Sequence, residues 1–315
     1  MSELDQHDED LAWTEIWKLK NGYYAGLEGG ERTHLISVFH DLLDWTGSGD
    51  DSETTRPPVD PDDGEGDNGE GDNGEGGGPD SGPADDLDIH DPRHYLFGEA
   101  KTWIPWAEDA PSGSKLGTYS NGYPKGIVLH WTAGHRNGLK AGNDLMRDTG
   151  MLYLLADKDG NIAQSDSLAY HGYHAGKSSH PNCSGYVSDE FCGLEVQAAG
   201  TLTKKGDKFY SWFNTEIPAA EVMYSKTRGN IDAGYYHIFT EAQMLATRKL
   251  CCWLYLNNPR VFKIENITSH DEVSPGRKTD MGASMVVDGK ALTIEEFREL
   301  IESDVEKILD NKEGI

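Results

Sequence analysis

The chain has 315 residues, enough for one large domain or two modest ones, and 55 Asp and Glu against 28 Lys and Arg give it a net charge of −27. So acidic a chain repels nucleic acid and anionic lipid, and no basic stripe reverses that repulsion. No apolar run reaches the roughly 18 residues of a membrane helix, so no membrane span is expected.

The N-terminus, Met1-Ser2-Glu3-Leu4-Asp5, has neither a basic leader region nor an apolar one. It is not read as a Sec signal, and the chain is expected to be made in a cytoplasm. Residues 8–46 have helical periodicity, loose at Leu11, Ile16 and Leu19 and clearer at Leu35, Val38, Phe39, Leu42 and Leu43. Residues 1–46 therefore read as a small helical module, too short to hold much core alone and suited to docking on a protein partner or on a second copy. Residues 47–89 form a low-complexity linker in which Gly-Glu-Gly-Asp-Asn repeats at 64–68 and 69–73. Fifteen acids against one base in residues 50–88 keep this stretch extended and coreless. Its Asp, Asn and Gly lack the closing Glu of a calcium loop.

Residues 90–315 read as one α/β domain, a central mixed sheet flanked by helices. Trp103 and Trp106 lie in its entry segment and are expected to pack. Gly126-Ile127-Val128-Leu129-His130-Trp131-Thr132-Ala133-Gly134 reads as a buried strand that delivers a histidine to the sheet rim, where α/β proteins place chemistry. A helix over 139–149 and a hairpin over 151–164, turning at Asp159-Gly160, follow. The segment 169–179 carries His171 and His174, with His180 and Cys183 just beyond, a set that could suggest a second metal. Phe191-Cys192-Gly193-Leu194-Glu195-Val196-Gln197 is a strand with a carboxylate inside an apolar run, costly unless paired or functional. Residues 201–237 are an insertion rich in aromatic residues and lysine, expected to wall one side of a cleft.

A helix over 240–257 begins at a Thr240/Gln243 capping box and stops at Asn258-Pro259. Its Cys251 and Cys252 are expected core thiols, and a reducing cytoplasm disfavours pairing of Cys183 with Cys192. A last helix over 293–309 starts at Thr293 and Glu296 and buries Phe297, Leu300, Ile301, Val305 and Ile308. Between these helices, Ser269-His270-Asp271-Glu272-Val273-Ser274-Pro275-Gly276-Arg277-Lys278-Thr279-Asp280 carries a candidate ligand near each end and a Pro-Gly turn between them. A reversal there sets Asp280 beside His270, with Lys278 pointing the same way as Asp280 in an extended segment. An isolated His and Asp in a loop are commonly just solvated. With His130, however, they make two imidazoles and a carboxylate, a set suited to tetrahedral Zn²⁺ with one position open.

The phrases Leu129 to Gly134 and Ser269 to Asp280 resemble those of the zinc-dependent N-acetylmuramoyl-L-alanine amidases, a family that includes phage lysozyme-type amidases and peptidoglycan recognition proteins. The resemblance spans roughly residues 95 to 310. It implies one Zn²⁺ on His130, His270 and Asp280, and hydrolysis by zinc-activated water of the amide joining the lactyl group of N-acetylmuramic acid to L-alanine. It further implies that Glu195 is the general base and acid, and that Lys278 stabilises the oxyanion. His174, in a His-Ala-Gly loop, would contact substrate or assist the water, while Arg277 is a candidate for a peptide carboxylate on charge alone. Tyr153 stands one position from a catalytic tyrosine of some phage members and is given no role. The partner expected is peptidoglycan, met as a phage-type lysin released by lysis machinery or carried on a virion. The alternatives are a peptidoglycan-binding protein without catalysis and a virion-attached lysin docked through the front module.

Overall fold

The computed structural model describes residues 88–110, 116–134, 138–140 and 154–314. The front module, nearly all of the linker, most of the helix expected over 139–149, and Tyr153 lie outside the described residues.

In chain order the strands are β1 (Glu108–Asp109), β2 (Gly117–Thr118), β3 (Gly126–Trp131), β4 (Leu154–Ala156), β5 (Ile162–Gln164), β6 (Tyr170–His171), β7 (Phe191–Val196), β8 (Thr201–Lys205), β9 (Lys208–Tyr210), β10 (Glu216–Ile217), β11 (Val222–Ser225), β12 (Gly234–His237), β13 (Ile267–Ser269), β14 (Val286–Val287) and β15 (Lys290–Ala291). The helices are α1 (Glu241–Asn257), the single turn α2 (His270–Val273) and α3 (Ile294–Glu313). Six strands make a mixed central sheet in the order β1-β5-β4-β7-β3-β13. Within it, β4 and β5 are antiparallel and every other pairing is parallel.

The central strands β3 and β7 are buried at every residue, as their unbroken apolar runs require. Alternate residues still face opposite ways. Ile127, Leu129 and Trp131 of β3, with Cys192, Leu194 and Val196 of β7, join α1 and α3 in the main core. Val128 and Phe191 point the other way, into a smaller cluster with Ala175, Val187 and Val273. Trp253, fully buried on α1, anchors the main core and meets Trp106 edge-on at 5.9 Å between ring centroids. Trp106 packs as expected, but Trp103 is 47% exposed and does not.

Both long helices start on the expected caps. Thr240 Oγ1 accepts from Gln243 N, and Thr293 Oγ1 accepts from Glu296 N, each with the reciprocal bond from the third helical residue. The last helix runs to Glu313, past the expected end at 309, on a stripe of buried Phe297, Ile301, Val305 and Ile308 with Leu300 half-buried beside it. The hairpin turn closes at Gly160, whose φ of +81° suits glycine, and a Cβ there would come within 2.7 Å of the Ala242 carbonyl oxygen. The turn thus packs directly on the start of α1.

The insertion forms regular structure of its own. Strands β8 to β12 build a second, antiparallel sheet in the order β10-β9-β8-β12-β11, over a small core of Ala199, Leu202 and Ile217. All four cysteines are free, with Cys192, Cys251 and Cys252 buried. Among the described residues, no helix is long and apolar enough to cross a membrane.

Candidate metal centre and active site

Three strands converge on the site. Parallel pairing sets Leu129 of β3 opposite Ser269 of β13, so the next residues, His130 and His270, emerge side by side. On the other flank His130 is the register partner of Glu195 on β7. The turn at 274–277 brings the chain back, and Asp280 arrives against both rings. His130 Nδ1 lies 2.9 Å from His270 Nδ1 and 3.2 Å from Asp280 Oδ2, and His270 Nδ1 lies 3.0 Å from the same oxygen. All three residues are buried. The expected grouping of His130, His270 and Asp280 is therefore present as one compact triangle.

Hydrogen bonding on the far side of each ring determines what the triangle presents. His270 Nε2 sits 3.1 Å from the Ala175 carbonyl oxygen, which can only accept, and 3.3 Å from Arg277 Nη2, which can only donate; the shorter contact places the proton on that nitrogen. His174 Nε2 sits 2.9 Å from the Phe191 carbonyl oxygen and carries its proton for the same reason. In the neutral ring, His174 Nδ1 is then an acceptor, and at 3.1 Å it receives the Nε2 proton of His130. Both triad Nδ1 atoms are left with lone pairs facing each other and a carboxylate. Burial, first, and neighbouring histidine, second, lower the pKa of His130 to about 4, and the same two causes hold His174 well below its usual value. Both rings are neutral at neutral pH. Burial opposes ionisation of Asp280, but the His270 and His130 rings against it hold its carboxyl well below the usual range.

Two lone pairs and a carboxylate at van der Waals range, with no proton between them, call for a cation. The spacing also suits zinc: bonds of about 2.0–2.1 Å in a tetrahedron put donor atoms roughly 3.4 Å apart, close to the three separations found. Two nitrogens and one oxygen are a borderline-soft set that Zn²⁺ accepts and Mg²⁺ or Ca²⁺ does not favour.

Glu195 is buried on the same sheet face, one strand from His130. Burial and the charge of Asp280 raise its pKa well above the usual value, while Lys278 pulls it down. Among the described residues, no hydrogen bond reaches its carboxyl. Lys278 is half-buried and near enough for its charge to act on both Glu195 and His130.

His174 and Arg277 both contact the histidines of the triangle or the turn beside them. His174 stands behind His130, on the ring nitrogen opposite the one facing the triangle. Arg277 Nη2 donates to the Ala175 carbonyl oxygen at 3.0 Å and to Ser274 Oγ at 2.8 Å, which ties the guanidinium to the turn beneath His270. The sequence reading missed Asp271. Its carboxylate accepts from Asn230 Nδ2, from Gly282 N at 3.0 Å and from Ser269 Oγ, and its own N–H donates to the Asp280 carbonyl oxygen at 2.6 Å. Asp271 thereby pins the segment that presents Asp280. Burial is the chief reason its pKa rises to about 6. An acid inside the His-Asp-Glu-Val phrase was the available signal, but Asn230, from the inserted sheet, gave none.

A family model described as N-acetylmuramoyl-L-alanine amidase matches residues 120–283, just over half of the chain and all of the site. The chain belongs to this amidase family. The amidase is also similar to solved structures. A selenomethionine AmpD derivative shares 20% identity over 65% of this chain and 98% of that one, with a TM-score of 0.43. AmiD from E. coli, in complex with anhydro-N-acetylmuramic acid-L-Ala-D-gamma-Glu-L-Lys, shares 20% identity over 51% and 54%, with a TM-score of 0.36. The endolysin amidase LysCS from Clostridium intestinale shares 15% identity over 65% and 98%, with a TM-score of 0.36. No curated protein matches the chain in sequence at a significant level.

Proposed function

We propose that the amidase hydrolyses the bond between the lactyl group of N-acetylmuramic acid and L-alanine in peptidoglycan, with one zinc ion on His130, His270 and Asp280, as a phage-type cell-wall lysin. The observation that carries the metal reading is the close meeting of the His130 and His270 Nδ1 atoms with the Asp280 carboxylate. Zinc held there supplies Lewis acidity, which makes water nucleophilic at neutral pH and polarises the scissile carbonyl.

The chain's own residues supply the rest. Glu195 takes the proton of the attacking water and returns it to the departing alanine amine. Its burial suits both roles, because a carboxyl with a raised pKa accepts a proton and also holds it until the amine leaves. The Lys278 ammonium stabilises the oxyanion as the carbonyl turns tetrahedral. His174 and Arg277 serve the histidine ligands rather than the substrate, given their contacts. Residues 1–46 act as a docking module on the acidic linker 47–89, which leaves residues 90–315 as the catalytic domain.

The test is peptide release from purified peptidoglycan, with and without a zinc chelator, by wild type and Glu195→Ala. New L-alanine amino groups that disappear with chelator and in Glu195→Ala support the amidase and this site together. A folded, zinc-loaded protein that binds peptidoglycan but releases nothing would establish the non-catalytic binding alternative. Release that survives Glu195→Ala unchanged would remove Glu195 from the role of base. Deleting residues 1–89 leaves release from soluble fragments intact and weakens retention on a particle or partner, if the front module docks.

A further inference from the structure

The two histidine ligands come from strands far apart in sequence, yet neighbouring residues of one loop hold both of them. His174 receives the Nε2 proton of His130 through Nδ1, and the Ala175 carbonyl receives the Nε2 proton of His270. The loop between β6 and β7 is fixed for this task. Ser188 Oγ accepts from Ala175 N at 3.0 Å and from His174 N at 3.4 Å. The Phe191 carbonyl sets the His174 ring from behind. Ala175 itself is fully buried among Val128, Val187, Phe191 and Val273. Gly193 makes room for the ring, since a Cβ there would lie 2.8 Å from His174 Cγ and 2.9 Å from Nδ1. Arg277 and His270 share the Ala175 carbonyl, so the turn that leads to Asp280 is keyed to the same loop.

We propose that His174 and Ala175 form a positioning clamp that fixes both histidine ligands in the tautomer presenting Nδ1 to the metal, and that Gly193 is the seat that lets the clamp close. The inference rests on the metal reading above. His174 touches neither substrate nor metal in this arrangement; it is a positioning residue acting through His130. A neutral ring can carry its one proton on either nitrogen, and with the proton on Nδ1 that atom is useless as a ligand. The clamp removes that alternative before the metal arrives, and a partner of this kind affects metal affinity by about 10- to 100-fold.

The experiment measures Zn²⁺ affinity by competition with a chromogenic chelator, the visible spectrum of the Co²⁺-substituted protein, and melting of the metal-free form. It uses full-length wild type, His174→Asn, His174→Leu and Gly193→Ala. Asparagine offers an oxygen near the place of Nδ1, whereas leucine keeps bulk and offers no acceptor. His174→Leu should weaken zinc binding about 10- to 100-fold and change the Co²⁺ bands, while His174→Asn stays within about threefold of wild type with its bands retained. Gly193→Ala, by pushing the ring away, should behave like His174→Leu. Equal affinities for wild type and His174→Leu would overturn the clamp, as would equal losses in His174→Leu and His174→Asn, which would show that filling space is all the ring does. If His174→Leu fails to fold, a folded Gly193→Ala with wild-type affinity overturns the proposal and one with weakened affinity supports it. Wild type that binds no zinc would instead overturn the metal reading itself, together with everything built on it.

Discussion

The two faces of the central sheet carry the same pair of strands to opposite ends. On the face covered by α1 and α3, β3 and β7 contribute Ile127, Leu129, Trp131, Cys192, Leu194 and Val196, all apolar or nearly so and all in one core. On the other face the same strands contribute Val128 and His130, then Phe191, Gly193 and Glu195. Moving one residue along β7, from Leu194 to Glu195, passes from the apolar core to the face of the candidate site. Both residues are buried, at 0% and 6% exposure, so burial does not distinguish them; what lies against each does. One face is the foundation that allows the other to hold polar groups in unfavourable surroundings without local collapse.

That contrast can be broken deliberately. The largest effect is expected on the polar face: His270→Ala or Asp280→Ala should abolish both stoichiometric zinc binding and peptide release, with melting of the metal-free protein nearly unchanged. Glu195→Gln should come next, lowering the rate of release by about 10²- to 10⁴-fold while zinc content by elemental analysis stays at wild type. Its neighbour behaves oppositely. Leu194→Ala should cost about 2–5 kcal/mol in denaturant unfolding while the surviving folded fraction keeps its zinc affinity.

The same Glu195→Gln variant sharpens the comparison through pH. The folded pKa of Glu195 lies above its unfolded value, so ionising it in place costs stability at alkaline pH, and the cost fades as pH falls towards the ordinary glutamate range. Metal-free Glu195→Gln should therefore melt above metal-free wild type at pH 8, and the gap should narrow steadily towards pH 4.5, as differential scanning calorimetry would read. A gap that widens on acidification would contradict the burial argument. The smallest effect is expected from the helix face: Thr293→Ala, which removes a cap of α3, should cost about 1 kcal/mol and leave zinc affinity alone.

Much of this was legible in the sequence because it is local. His130 stands where an apolar run ends, His270 and Asp280 bracket a Pro-Gly turn, and Glu195 breaks a run of apolar neighbours. Both capping boxes sit within four residues. What the sequence hid was long-range or faceless. A strand buried on both sides has no alternation to read, so the division between Leu194 and Glu195 became clear only once the helices were seen on one face. The role of His174 depends on meeting His130, and that of Asn230 on meeting Asp271 from the inserted sheet. The inserted sheet itself escaped notice because its strands are two to five residues long and mostly exposed or half-buried, with little periodicity to show.

The acceptors behind the two outer rings, Phe191 O for His174 and Ala175 O for His270, belong to the main chain. Every amino acid brings the same carbonyl, so no exchange of side chain at 175 or 191 deletes these contacts outright. Drift in sequence can reach them only by altering the path of the backbone, through Gly193, Ser188 or the length of the loop. The orientation of the two candidate ligand histidines is thus insulated from most single substitutions, while the inserted sheet, whose Trp212 meets the site's rim through the carbonyl of Ala133, is free to diversify beside it.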